Sequence, residues 1–200
     1  MSRFSRLVLA MGALSLGLLY FLPLWHIGLK APQYPEGLGL YIAMNEIRGE
    51  RPQDLNSING LNHYIGMKKI EPDAIPELRI MPWVIRLLIL SGVGVAVYGK
   101  RWPLGAWVTA FFLGALGGLV DFWRWGYDYG HNLDPHAAIR IPGMTYQPPL
   151  IGGKQLLNFH ARSWPAAGGW IAVGVLAVST LILVMEIRRK REARLAGSAG

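Results

Sequence analysis

The sequence predicts an all-α membrane protein: four transmembrane helices, both termini on one side of the bilayer, and two long loops with short helices on the other. Three observations predict it. Hydrophobic residues make up 52% of the 200-residue chain and charged residues only 16%, where soluble domains carry about a quarter charged. Four apolar runs have about the length that crosses a hydrocarbon core of roughly 30 Å. Much of the basic excess behind the net charge of +8 sits at the ends of those runs, which makes it a signature of membrane orientation and not of nucleic-acid binding.

The first span is expected over residues 7–25, preceded by Arg3 and Arg6. It ends in bulky Tyr20, Phe21, Leu22, Pro23, Leu24 and Trp25 instead of a small-x-small site, so it reads as an uncleaved anchor, not a signal peptide. The first long loop, 26–80, is punctuated by Pro32, Pro35, Pro52 and Pro72. Within it Gly39–Ile47 reads as a short amphipathic helix. A second helix starts near Asp54 and runs through DLNSINGLNHYIGMKKI, weakened by Gly60 and Gly66. The second span is expected over 81–98, opened by Pro76 in a helical first turn, with Arg86 snorkelling toward the headgroups.

After the turn at Gly99, Lys100 and Arg101 comes the third span, 102–122. Its Gly105, Gly114, Gly117 and Gly118 suit close helix packing, and Asp121 near its end has Arg124 as the obvious ionic partner. The second long loop, 123–165, contains Pro148 and Pro149 in a rigid bracing stretch. The fourth span covers 166–187, and 188–200 is a basic tail. Nine of the twenty Lys and Arg fall on the side of the termini, against only Glu186 and Glu192; the other side balances eleven basic with ten acidic residues. The positive-inside rule therefore makes the termini cytoplasmic and the long loops periplasmic in a bacterial inner membrane.

All five histidines, His26, His63, His131, His136 and His160, fall on the loop side together with Met44, Met67, Met81 and Met144. Imidazole with thioether suits copper, above all Cu(I), better than the hard divalent cations. His63 and Met67 are four residues apart and share a face if that turn is helical. His131 follows a Tyr-Gly pair and precedes a turn, with Asp128 or Asp134 to orient its second nitrogen. Met144 follows Pro142 and Gly143 in a tight bend. These four are the candidate metal ligands. His136 and His160 have no spacing argument, and His26 reads as an interfacial residue. The plainer reading of all of them is Met packed on aromatics and His bonded to loop carbonyls. The chain has no cysteine, which excludes disulfides, thiolate metal sites and thiol nucleophiles. It also lacks a phosphate-binding glycine loop, an HExxH pattern and any Ser, His and Asp spacing of hydrolases, so no enzymatic activity is expected.

At NGLNHYIGMKKIEPDAIPEL and YDYGHNLDPHAAIRIPGMTYQPPLIG, and also at LPLWHIGLKAPQYPEGLGLYI and LLNFHARSWP, the sequence resembles small four-helix membrane proteins encoded beside nitrous oxide reductase and its copper chaperone lipoprotein. The resemblance implies service to that copper enzyme in the periplasm, either in its maturation or as support. His63, Met67, His131 and Met144 lie inside the resembling strings. The leading expectation is thus a non-enzymatic accessory protein that handles copper for a periplasmic copper enzyme or chaperone, with membrane lipid as its other partner. Two alternatives stay open: a quinol- or haem-interacting subunit of a redox complex, and a metal-free docking scaffold. No predicted span carries an internal histidine, which weighs against haem held within the bilayer.

Overall fold

In a computed structural model that describes residues 1–156 and 158–197, the apolar runs are helical and the two long loops are something else. Helix α1 (Arg3–Ser15) continues as a 3-10 turn to Tyr20; α3 spans Glu77–Tyr98, α4 Arg101–His131 and α5 Ala167–Gly197. All four segments are long and apolar enough to cross a membrane. The remaining helix, α2, covers Asp54–Ile65. Residues 198–200 of the expected tail lie outside the described residues.

The all-α expectation is wrong. Five strands, β1 (Trp25–Ala31), β2 (Tyr34–Ile42), β3 (Ile47–Gly49), β4 (Gly152–Leu156) and β5 (Phe159–Pro165), form one antiparallel sheet in the order β3-β2-β1-β5-β4. The helix expected over 39–47 is instead the end of β2, a turn closed by Ala43 N–H donating to the Glu46 carbonyl, and the first residue of β3. The physical reason is a period of two. Trp25, Ile27 and Leu29 alternate with His26, Gly28 and Lys30, and Leu38, Leu40 and Ile42 alternate with Gly39 and Tyr41. The first member of each set packs into a common apolar core with Ile47, Ile58, Ile70 and Leu78. At Gly39 a Cβ would meet His26 Nε2 at 3.0 Å and overlap the Glu50 side chain, so both side chains would have to move for any larger residue.

The two long segments are therefore one structure. β1, from the first, pairs along its length with β5, from the second, with Trp25 opposite Pro165 and Lys30 opposite His160. Each strand leads directly to or from a bundle helix, so the sheet stands at one end of the bundle. Both described chain ends and the Gly99 turn gather at the other: the N-terminal ammonium donates to the Gly99 carbonyl (2.9 Å) and Ser2 N–H to Glu186 Oε1 (3.0 Å).

A second apolar cluster fills the bundle, centred on Leu9, Leu16, Leu104, Trp107, Phe111 and Ile182. Gly92 allows its tightest crossing, where a Cβ would lie 2.8 Å from Ala13 Cβ and 2.9 Å from the Trp107 ring. Outward-facing Leu87, Leu90, Phe112, Val173 and Leu181 remain exposed, as lipid-facing side chains do. The glycines Gly114, Gly117 and Gly118, expected to mediate packing, face open space. Asp121 forms no direct ion pair with Arg124; the two interact only through the longer-range charge field.

Helix α4 has 31 residues, about 46 Å at 1.5 Å per residue, against a hydrocarbon thickness of roughly 30 Å. The expected span 102–122 is therefore only its lower part. Residues 123–131, expected as loop, continue the helix toward the sheet, and Trp25 packs edge-on against Phe122 at 5.4 Å where the two meet.

Glu186 is the chief polar tie at the opposite end. It is buried, accepts hydrogen bonds from Ser2 N–H and Ser5 Oγ, and lies 3.8 Å from the N-terminal ammonium. Glu186→Ala is expected to cost about 2–3 kcal/mol by leaving these donors unpaired, with Glu186→Gln milder. Thermal unfolding in detergent checks this, and equal melting points for wild type and Glu186→Ala would refute it.

Candidate functional site

The sheet has two faces of different chemistry. One turns toward α2 and the protruding end of α4 and is apolar; the other carries His26, Lys30, His160 and Arg162 in neighbouring register positions. His26 is engaged there, 3.1 Å from Glu50 Oε2 and stacked at a tilt on Tyr41. Its Nε2 is thus taken up by the Glu50 carboxylate.

Helix α2 is secured to the sheet by Asp54, which is 4% exposed and whose Oδ2 accepts from Gly39 N–H at 3.0 Å and Arg51 N–H at 3.3 Å. Its first turn thus satisfies a donor of β2 as well as its own N-terminal loop. The helix ends at Gly66, whose φ of 81° is the left-handed conformation glycine adopts freely. That ending separates the pair expected on one face. His63 stays on the last helical turn, exposed and edge-on to Tyr64. Met67 lies beyond the reversal, and its side chain turns inward onto the wall of an apolar cavity.

The second long segment folds over this helix end. Asp134 N–H donates to the Gly66 carbonyl (2.8 Å) and Ile139 N–H to the Tyr64 carbonyl (2.9 Å). These bonds bring Asp134 into the neighbourhood of His63 and fold the stretch that bears His136 over the end of α2. The His136 backbone N–H on Asp134 Oδ1 (2.8 Å) holds that carboxyl below the usual carboxylate range, aided by the His136 ring and by the nearby His63. That this stretch crosses the helix end bearing His63 is visible only through these backbone bonds.

His131 is the last residue of α4. Its ring stacks on Tyr127, with centroids 3.8 Å apart, and Nδ1 lies 3.0 Å from the Tyr127 carbonyl, leaving Nε2 as the outward nitrogen. The orienting group is this carbonyl. Asp128, expected in that role, instead binds Lys68 Nζ at 2.6 Å and the Asn132 amide; Asp134 binds His136. Met144 is half-buried in the turn after Gly143, its N–H donating to the Ile141 carbonyl at 3.1 Å. Among the described residues no three His, Asp or Glu side chains are already posed around a common point that would hold a metal. What exists at the sheet end is a set of separate donors: His63 at the end of α2, His136 in the stretch folded over it, and His131 at the end of α4.

Beneath that surface lies the cavity, about 80 Å³, between β1, β2, α2 and residues 125–129 of α4, closed by Tyr146, Pro148 and Phe159. Tyr146 sits there because its N–H donates to the Gly130 carbonyl (2.9 Å), and because Gly130 has no side chain to push the Gln147 backbone away. The stretch expected to brace the loop does so at this crossing. The buried Tyr146 hydroxyl has no hydrogen-bond partner among the described residues, and Tyr146 lines the cavity together with Trp125, whose indole N–H lies against the Tyr129 hydroxyl. Such an orphan costs about 1–3 kcal/mol. Trp125 and Tyr146 carry no signal in the sequence until the fold joins them.

No family model matches the chain, and no curated protein matches it.

Proposed function

We propose that this protein is a non-enzymatic accessory protein of the bacterial inner membrane that handles Cu(I) on the periplasmic side for nitrous oxide reductase or its copper chaperone. The positive-inside asymmetry supports the orientation, with the sheet end periplasmic. The observation that carries the copper reading is the junction of the two long segments, where the Gly66–Asp134 and Tyr64–Ile139 bonds fold the stretch that follows His131 and bears His136 and Met144 over the helix end that bears exposed His63. Neither His63 ring nitrogen is used by a protein hydrogen bond among the described residues, and His131 keeps Nε2 outward. Cu(I) accepts few, soft ligands, so a pair of imidazoles with a thioether drawn in on binding is a sufficient donor set. An exposed, incompletely formed site also suits a metal that must be passed on. The resemblance of the long segments to proteins encoded beside nitrous oxide reductase supplies the enzyme served.

The test is metal analysis and anaerobic Cu(I) titration of the detergent-purified protein. About one tightly bound Cu(I) per chain is expected, lost in His63→Ala and weakened about tenfold in His131→Ala or Met144→Ala, as removal of one ligand from a small donor set requires. Met67→Ala tests whether the inward thioether is recruited. Copper at background in the wild-type protein would overturn the reading.

A further inference from the structure

The cavity under the sheet is built unlike an ordinary packing defect. Its wall is apolar, contributed by Ile58, Leu61 and Met67 among others. Of the polar side chains on that wall, Asn62 and Tyr129 already donate to the Lys68 and Lys69 carbonyls. The Tyr146 hydroxyl donates to nothing in the described chain, although Tyr146 is only 4% exposed, whereas the Trp125 indole N–H lies against the Tyr129 hydroxyl. Gly126 is buried on the same wall, yet a Cβ there would meet no atom within 4 Å. A buried glycine facing open space and an unpartnered hydroxyl thus meet at one apolar chamber.

The chamber also has a telling position. Residues 125–129 follow Phe122 on the same helix by three to seven positions, about 5–10 Å further along the axis. Phe122 packs on Trp25, and exposed Trp123 and Trp164 mark the same level as the membrane interface. The chamber therefore lies about 5–10 Å along α4 from the level that these aromatic residues mark, close to the headgroup region of a bilayer. At about 80 Å³ it is far smaller than the roughly 300 Å³ of a site that encloses a whole drug-sized ligand, so it takes a segment of a longer molecule.

We propose that this chamber binds a fatty acyl group: the carbonyl oxygen accepts a hydrogen bond from the Tyr146 hydroxyl, and the adjoining methylenes lie along Gly126 and Leu61. A neutral ester or amide carbonyl satisfies a donor that has no acceptor, and an alkyl chain satisfies walls that offer no polar contact. The group comes from a bilayer phospholipid or from a single-chain acyl donor such as the lipid anchor of a neighbouring protein. The site is independent of the copper reading, since it uses none of the exposed histidines.

The protein is reconstituted in nanodiscs and photolabelled in two arms. One uses a phospholipid with a diazirine near its ester; the other uses a diazirine-bearing fatty acid methyl ester added to unlabelled discs. Mass spectrometry then locates the adducts. Adducts are expected on the segments around Leu61, Gly126 and Tyr146, and the arm that produces them identifies the source. Gly126→Leu fills the chamber and should reduce those adducts about tenfold, the loss expected when a pocket is occupied by the protein's own side chain, while adducts on the lipid-facing sides of α3 and α5 stay unchanged. Tyr146→Phe should weaken labelling about fivefold, equivalent to one ordinary hydrogen bond. It also decides the matter should Gly126→Leu fail to fold. Adducts confined to the lipid-facing helices in both arms, or chamber adducts unaltered by either substitution, would overturn the proposal.

Discussion

Gly169→Val is expected to destabilise the fold strongly. At this point α5 leaves β5 and passes across the chain that joins the first helix to β1. A Cβ on Gly169 would overlap the Leu24 carbonyl oxygen and stand 3.0 Å from Pro165 Cβ, and one on the preceding Gly168 would lie 2.8 Å from both the Leu22 and Pro23 carbonyl oxygens. The obstacles are backbone, and they are themselves held. The Leu24 carbonyl accepts from Ala166 N–H, Pro23 from Gly168 N–H, and Leu24 N–H donates to Ile42. No side chain can swing aside, so the branch must displace either the start of α5 or the start of β1. Overpacking against rigid backbone costs about 3 kcal/mol or more, a drop of about 6–12 °C in melting temperature for a chain of this size. Gly174, further along the same helix, faces open space, so Gly174→Ala is the control and should be neutral or slightly stabilising. Size-exclusion profiles and thermal unfolding of the two variants in detergent make the comparison. Equal stability would show that the β5–α5 junction is looser than its hydrogen bonds indicate.

The second large effect is expected at Asp54. Alanine there leaves the buried Gly39 N–H without an acceptor and cuts the polar tie between α2 and the sheet. Hydrogen bonds to a charged acceptor together with an orphaned donor amount to about 2–4 kcal/mol. The damage should be local. The bundle has its own apolar cluster, so hydrogen exchange should rise across 34–66 and at the 134–139 segment bonded to the end of α2, while 85–111 stays protected. Asp54→Asn keeps one acceptor oxygen and should lose about half as much. If exchange in Asp54→Ala rose equally in both regions, the sheet end and the bundle would be a single cooperative unit. Because His63 sits on the far end of α2, Asp54→Ala should also weaken Cu(I) binding while removing no ligand.

The regions where sequence and structure part are instructive about why. Apolar runs of twenty residues announce helices because in a bilayer every backbone group must be satisfied within the segment, and only the helix does this alone. A strand has no such autonomy. The alternation of Trp25, Ile27 and Leu29 with His26, Gly28 and Lys30 is present in the sequence, as is that of Leu38, Leu40 and Ile42. The two runs pair with each other as a hairpin, but Pro32 and Pro35 between them make the stretch read as loop, and the strand that joins them to the second long segment, β5, lies 130 residues or more away. The same holds for the site. His63 and Met67 were paired by helical spacing, and one residue between them, Gly66, reverses the chain and sends the thioether inward. The glycine was visible; whether it interrupts the helix or closes it depends on Asp134, whose N–H takes the Gly66 carbonyl.

From the sequence alone follow the four long apolar helices, the gathering of the chain ends at one side, and the concentration of every histidine at the other. Each depends on composition or on contacts within a single segment. Only the tertiary structure decided that the two long segments are one sheet, that the stretch bearing His136 folds over the helix end bearing His63 while Met67 turns inward, and that Trp125 and Tyr146 share a buried chamber. Those relations are made by backbone hydrogen bonds between distant parts of the chain. Such bonds join groups that every residue carries, and so leave no mark on the identity of the residues they bring together.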